Sequence, residues 1–576
     1  MNDLSRFSLH IIDYLAFGLY FIVLCLIGFW MGRKEKEKAD DYFLAGRSLP
    51  WYVVGSSFIA SNISTEHFIG MIGGAFVYGI CVAMSEWLNV GSFTLLIWIF
   101  IPFLLSARVF TTPEFLEKRF NSTLRLFFAI VTVISNIVAF LAAVLYGGGL
   151  ALHTLFGWNL WIAIVFLGVV AGSWAIYGGL KSVAWTDFFT VIVMIAGGLL
   201  VTVLGLYMLS GESHSLVEGF KVMIERNQAR EGIWADVTAR IAPHIVHSDQ
   251  YNRLSVIQPI THEVTPWPFL LFGIFSISIW YNILNQFMIQ RVLGAKNMYH
   301  ARMGIVLAGY MKIFLPFIIV LPGLILFARF PEVLNLPWDE VKPEADKGYV
   351  VMLHMLIPIG LRGLFLAALF GAIQSTVNSV LNSTATVFTL DIYKRWIHKT
   401  ASQKQLVYMG MGSSTVILIL SIVLSGYISH FSEGLFVYIQ SLYAFFAPPF
   451  SAVFLLGILF RRINSQGATA AVLSGFLLGI GMKVYAQSPG HALWLEPFAM
   501  QAIVNWIVCT VICAVVSVCT QPPLPEQVTD RLTLNWKRLN IFQNLGSPWH
   551  RSVTFWWALF VVIIFALILL FSGLFL

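Results

Sequence analysis

The sequence predicts an all-α, polytopic membrane protein with about fourteen transmembrane helices, because charge is scarce and long apolar stretches recur from end to end. Only 11% of the 576 residues are charged and 58% are hydrophobic, against roughly 25% charged in soluble domains. Mean hydropathy is +0.81. The apolar runs are continuous, as in FWWALFVVIIFALILLFSGLFL at 555–576, whereas the strands of a transmembrane β-barrel alternate in polarity.

The first run, 10–32, has no cleavage-site pattern and is longer than a signal-peptide core, so a retained span is expected there. Spans follow at 51–73, 76–105, 122–150, 158–177 and 183–209. The polar gap at about 210–266 has room for a cap or short helices and too little chain for a substantial core. Further spans are expected at 268–293, 300–328, 361–394, 404–428, 433–460, 466–486, 498–519 and 552–575. With the N-terminus outside, roughly two-thirds of the 35 basic residues fall in inner loops near 33–47, 108–125, 181, 291–302, 394–404, 461–462 and 531–551. Among them are Lys34, Lys36, Lys537 and Arg538, while the outer loops near 151–157, 427–433 and 487–497 have none. The positive-inside rule then places both termini outside, in the plasma membrane or the inner membrane of a bacterium. The net charge of +7 is thereby a topological signal and calls for no nucleic-acid partner. All five cysteines lie in apolar runs, which implies neither a disulfide framework nor a metal site.

A polar group in hydrocarbon must be satisfied by protein or trapped water, so polar residues at span centres are the functional candidates. Four regions qualify. ASNISTEHFIGM (60–71) holds Glu66 and His67, and AMSEWLNV in the next span adds Ser85, Glu86 and Asn89. AGYMKIFLPF carries Lys312; GAIQSTVNSVLNSTATVFT (371–389) is rich in hydroxyls and amides; YIQSLYAFFAPP carries Gln440. Each also admits a plainer role. Hydroxyls bond to the preceding helical turn, amides join helices, Lys312 can snorkel, and Glu66 can be an ion-pair partner. His67 has no companions at metal-ligand spacing. Grouped together, these residues suit a hard monovalent cation and a polyhydroxylated solute. Gly70, Gly73, Gly74 and Gly79 mark where the first polar helix can end or break. The glycines at 146–149 and 475–481 read as close-packing positions.

DYFLAGRSLPW (41–51), ASNISTEHFIGM (60–71), YGGLKSVAWTD (177–187), QRVLGAKNMYHARMG (290–304) and LNSTATVFTLDIYKRW (381–396) resemble the sodium/solute symporter family. The likeness is to its sodium/glucose cotransporter branch and covers about residues 10–520. The resemblance implies a LeuT-like core of two inverted five-helix repeats, 51–209 and 268–460. Residues 1–50 would then form an extra helix and inner loop, 210–267 an outer loop, and 461–576 three further helices around an inner loop at 520–551. It also implies alternating access, with no cofactor other than sodium as coupling ion. The implied sodium ligands are the carbonyls of Ala60, Ile63 and Ala372 and the hydroxyls of Ser375 and Thr376. Asp187 resembles an acidic residue on the inner sodium route, where Asn378 is the facing residue; a second sodium site and a charge-paired structural role both stay open for it.

For the solute, the resemblance implies contacts from His67, Glu86, Asn89, Lys312 and Gln440, with Tyr281 as inner gate and Met71, Ser85 and Phe436 at the outer gate. Ser85, Asn282 and Ser278 depart from the sugar pattern, so a hexose, a polyol such as inositol, or a sugar acid pairing with Lys312 all fit. The expected function is sodium-coupled import of a sugar or polyol across a lipid bilayer. The alternatives are symport of sialic acid, a sugar acid or a carboxylate, and a solute sensor; the chain's end straight after a final helix, with no appended signalling domain, speaks against the sensor. No catalytic motif is present, so no enzyme is expected.

Overall fold

The computed structural model describes residues 9–33, 38–248, 251–428, 435–535, 542–543 and 545–573. Lys34, Lys36, Lys537 and Arg538, four of the expected inner-loop cations, lie outside the described residues. All regular elements among the described residues are helical. Among the described residues eleven helices are long and apolar enough to cross a membrane, and the pair Pro268–Leu284 and Gln286–Leu293, bent by 54°, makes up to twelve. Each of the fourteen expected segments contains helix; the counts differ where segments are broken or joined. The 51–73 segment splits into Trp51–Asn62 and a helix that restarts at Glu66. Leu160–Leu209 is helical over 50 residues, about 75 Å at 1.5 Å per residue and far beyond the hydrocarbon thickness. It bends at Gly179, whose φ of 59° and ψ of −169° interrupt the helix where a Cβ would lie 2.6 Å from the Tyr42 carbonyl.

Arg362–Ile397 is the most enclosed helix and carries the hydroxyl-rich sequence. The outer helices instead turn Leu15, Val416, Leu477, Val511 and Val562 outward, all exposed, as lipid-facing surfaces require. The glycines at 147–149, 475 and 479 are close-contact positions: a Cβ there would meet Leu435, Ile373, Ile164, Cys509 and Phe445 within 3.1 Å. Gly70 and Gly73 act likewise against Phe436 and Ala345, and the helix breaks before them and before Gly74, at 63–65. Gly79 alone ends a helix, at φ 76°.

The polar gap forms two short helices, Leu216–Asn227 and Ile233–Val246, that cap one face. Arg253 from this cap donates to the carbonyls of Val77 (2.6 Å) and Phe76 (2.7 Å), satisfying the end of the 72–78 helix. Val256 N–H donates to Phe571 O at 2.7 Å. At the other end of the chain, Asp13 accepts from Gly360 and Gly363 at 3.0 Å, in the segment before Arg362–Ile397. On the opposite face, Arg395 pairs with Glu117 at 2.7 Å and Arg119 reaches Ile463 O at 2.8 Å, so loops expected to be inner share one end of the bundle.

The helix Trp338–Leu356 lies between two spans, and its buried Asp346 accepts the Leu435 N–H at 2.8 Å. Burial pushes this carboxyl up to about 7, against the pull of that N–H, from an ordinary 3.8. The native state holds the proton up to about pH 7 and the unfolded chain releases it near 3.8, so Asp346 favours the native state fully below 3.8 and that advantage is lost as pH rises through about 7. His262, whose pKa burial lowers to about 3, acts in the opposite sense as pH falls below 6.5. The expected result is therefore a difference: between about pH 4 and 7 the stability of the parent relative to Asp346→Asn falls by up to about 1.4 kcal/mol per pH unit. Melting of the purified proteins across that range checks it, and parallel curves would refute it.

Candidate solute and ion site

The centre of the bundle is built on the break between Asn62 and Glu66. In an unbroken helix, Ala60 O would accept from Ser64 N–H, Asn62 O from Glu66 N–H and Ile63 O from His67 N–H. Here Ser64 N–H donates to His67 Nδ1 (3.3 Å), Glu66 N–H to Ser64 Oγ (3.1 Å) and His67 N–H to Ser64 O (3.0 Å). Two polar side chains and the Ser64 carbonyl thus divert three amides from the helical pattern and release three carbonyls in a region where Ala60, Ile63 and their neighbours are wholly buried. The second break, at Asn285 with ψ 123°, was not expected from the sequence; Asn285 N–H donates to Trp280 O at 2.8 Å.

Facing the first break, Thr376 Oγ1 lies 3.3 Å from the carbonyls of Ser61 and Ile63. Ser375 Oγ donates to Asp187 Oδ1 at 2.6 Å. A hydroxyl that gives its proton to a carboxylate keeps its lone pairs for a cation. Ala372 lies one helical turn before Thr376 on the same buried helix. Asp187 also accepts from Ser57 Oγ (2.6 Å) and Ser61 Oγ (3.4 Å), and Arg291 Nη2 stands 3.7 Å away as its charge partner. Ser379 completes this network through Ser61 Oγ at 2.8 Å and through Arg291. From the facing helix Ser375 bonds Asp187 directly and Ser379 joins its partners, with Asn378 buried beside them.

On the other side of the break lies a polar cavity. His67, Ser85, Glu86, Asn89, Tyr281, Lys312 and Gln440 all line it. Lys312 donates to Glu86 and to Asn62, forming a buried ion pair. His67 Nδ1 accepts the Ser64 N–H, and its Nε2 lies 3.4 Å from Glu86 Oε1 without a formed hydrogen bond. Glu66 accepts from Gln440 Nε2 at 3.0 Å and from Tyr443 Oη at 3.3 Å, which leaves the Gln440 carbonyl oxygen free as an acceptor. Asn89 is largely committed within the protein: its Nδ2 donates to the carbonyls of Ser85 and Glu86, and its Oδ1 accepts from Asn282 at 2.5 Å.

Tyr281 accepts from Asn62 Nδ2 at 2.5 Å and stacks against Phe140 at 6.0 Å. Phe436 sits one turn from Gln440 against Gly70 and Gly74. It lines a second cavity with Lys342 and Asp346. Met71 is buried and lines neither. Asn62, Glu66, Phe269, Ile277 and Tyr443 also line this cavity, a placement the sequence does not assign them, as does Ser278, one of the departures from the sugar pattern. Tyr443 was within reach, since i, i+3 spacing puts it on the Gln440 face.

Residues 42–475 match the model of the "Sodium:solute symporter family". The chain is 33% identical over 552 residues to a sodium/glucose cotransporter of Vibrio parahaemolyticus, covering 93% of this chain and 96% of that one. It is 32% identical over 559 residues to a human sodium/myo-inositol cotransporter, covering 92% and 76%. A solved outward-open, substrate-bound Na+-coupled sialic acid symporter superposes with a TM-score of 0.72 at 21% identity, over 89% of this chain and 99% of that structure, which bears on the fold alone. Broken helices that release carbonyls beside a polar cavity suit a transporter, and the match over residues 42–475 and the likeness to these cotransporters establish that the chain belongs to the sodium:solute symporter family.

Proposed function

We propose that the chain is a sodium-coupled symporter that brings a sugar or sugar-like polyol into the cell by alternating access. The observation that carries this is the double use of His67: Nδ1 takes the Ser64 amide and so frees the Ala60 carbonyl, while the Nε2 side of the same ring faces the solute cavity. One residue thereby joins the ion and solute sites, and filling either biases the same helix break. Sodium takes oxygen ligands from Ala60, Ile63, Ala372, Ser375 and Thr376, with Asp187 and its Arg291 pair behind them. Hydroxyls of the solute meet His67, Glu86, Lys312 and Gln440, with Asn89 holding the wall and Tyr281 closing the inner side.

Phe436, with Ser85 at the cavity wall and Met71 behind, forms the outer closure. The repeats run over 51–209 and 268–460, and the rest of the chain flanks them in the order expected from the sequence. Both termini lie outside in a plasma membrane, or in the inner membrane of a bacterium, the face of the 210–267 cap being the outer one. The relatives named for glucose and myo-inositol support a neutral polyhydroxylated solute. A sugar acid is less well served, since Lys312 is already engaged by Glu86.

Uptake into proteoliposomes, with and without an inward sodium gradient, across hexoses, polyols, sugar acids and carboxylates, tests the reading. Sodium-driven accumulation of at least one hexose or polyol is expected. Uptake indifferent to sodium, or confined to anions, would overturn it.

A further inference from the structure

We infer that sodium leaves the ion site inward along a string of three buried amides, Asn378, Asn382 and Gln290, whose side-chain oxygens take it up in turn. This rests on the proposed sodium coupling and adds the path by which the ion departs.

All three amides are buried. Among the described residues neither polar atom of the Asn378 or Asn382 side chain has a hydrogen-bond partner, and Gln290 Oε1 has none either. Leaving such groups unpaired is costly, and apolar side chains of similar size would fill the same space without that cost. Polar groups kept inside a membrane at a cost mark ion pathways. Their order gives this one a direction. Ser375, which bonds Asp187, is followed at i+3 by Asn378 and four residues later by Asn382, neighbouring positions on one side of the helix. One turn further, Thr386 donates to the Asn382 backbone carbonyl at 2.7 Å and accepts from Gln290 Nε2 at 3.1 Å. Gln290 Nε2 also donates to the carbonyl of Phe43, in the short helix Ala39–Leu44 of the first expected inner loop. The string therefore runs from the ion site to that loop. Eleven helical steps separate Ser375 from Thr386, about 16 Å at 1.5 Å per step, or roughly half of the ~30 Å hydrocarbon core. Neutral amide oxygens suit such a passage, since a conducted ion must be bound well enough to enter and weakly enough to leave. Arg291 ties Ser57, Ser379 and Asp187 together at the ion-site end, and with every amide of the string buried the path is shut in this structure.

The test compares two transport modes of the full chain in right-side-out vesicles, using whichever labelled hexose or polyol the parent carries best. Net uptake into sodium-free vesicles requires sodium to leave inward in every cycle. Exchange against unlabelled solute, with saturating sodium on both sides, lets the ion stay bound. In Asn382→Leu and in Asn378→Leu, net uptake is expected to fall about tenfold or more, while exchange stays within about twofold of the parent. Asn382→Ser, which restores an oxygen, should recover much of the net rate. Net uptake and exchange falling by the same factor would make the amides structural and overturn the inference, as would unchanged net uptake in both leucine variants. A parent that accumulates another sodium-driven solute, and no hexose or polyol, sinks the sugar reading alone, and the same two modes measured with that solute decide the path. A parent without sodium-dependent transport of any kind sinks both.

Discussion

Uptake by the double variant Ser375→Ala, Thr376→Ala is expected to lose its dependence on sodium. The two hydroxyls are the side-chain oxygens of the proposed ion site, opposite carbonyls that the 63–65 break releases. An interaction between a charge and a hydroxyl contributes about 1.5–3 kcal/mol, so removing both costs about 3–6 kcal/mol. Each 1.4 kcal/mol is tenfold, and the apparent sodium constant should therefore rise by about a hundredfold or more. Asp187 keeps Ser57 and Arg291, so the network around it is not left without partners. Initial uptake rates measured against sodium concentration check the outcome, with Thr376→Ser as the variant that restores an oxygen. Unchanged sodium-driven uptake in the double variant would sink the site.

Lys312→Met is expected to be damaging in two separable ways. It leaves Glu86, only 4% exposed, as an uncompensated buried carboxylate, and breaking a buried pair from one side costs about 3–5 kcal/mol. It also removes an ammonium from the solute cavity. Adding Glu86→Gln should recover most of the lost melting temperature, because the orphaned charge is gone, without recovering the solute constant. Completing the double-mutant cycle separates the two effects. Lys312→Met should raise the solute constant far more than the sodium constant. Equal shifts in both, or recovery of solute affinity in the pair, would assign Lys312 a purely structural role.

Much of this site is legible in the amino-acid sequence. Glu66, His67, Glu86, Lys312 and Gln440 stand out because hydrocarbon penalises each polar side chain wherever it occurs, and such a penalty can be read one span at a time. The flanking glycines are equally visible, but they set the expected break too late. No glycine or proline stands at 63–65; the break depends on Ser64 and His67 redirecting amides. The role of Glu66 is hidden from the sequence for the same reason. Its partners Gln440 and Tyr443 are 374 and 377 positions away, and nothing local announces the pairing. Asn89 is the converse case: its residue type suits a solute contact, yet Asn282 and two carbonyls already occupy most of its amide.

The sequence by itself determined that the chain is a helical membrane protein, roughly where its spans lie, and which side chains must face something other than lipid. It could do so because transfer of a residue into hydrocarbon is a cost assessed residue by residue. Only the tertiary structure decided which of those side chains meet. Glu86 finds Lys312, Asp187 finds Arg291, and Glu66 finds only neutral donors. Those pairings follow from how Glu66–Ala107 lies against Met298–Arg329 and Leu435–Leu459, and Leu160–Leu209 against Gln286–Leu293. Which charges find a partner is decided there, because charge balance belongs to the assembled site and not to any one span.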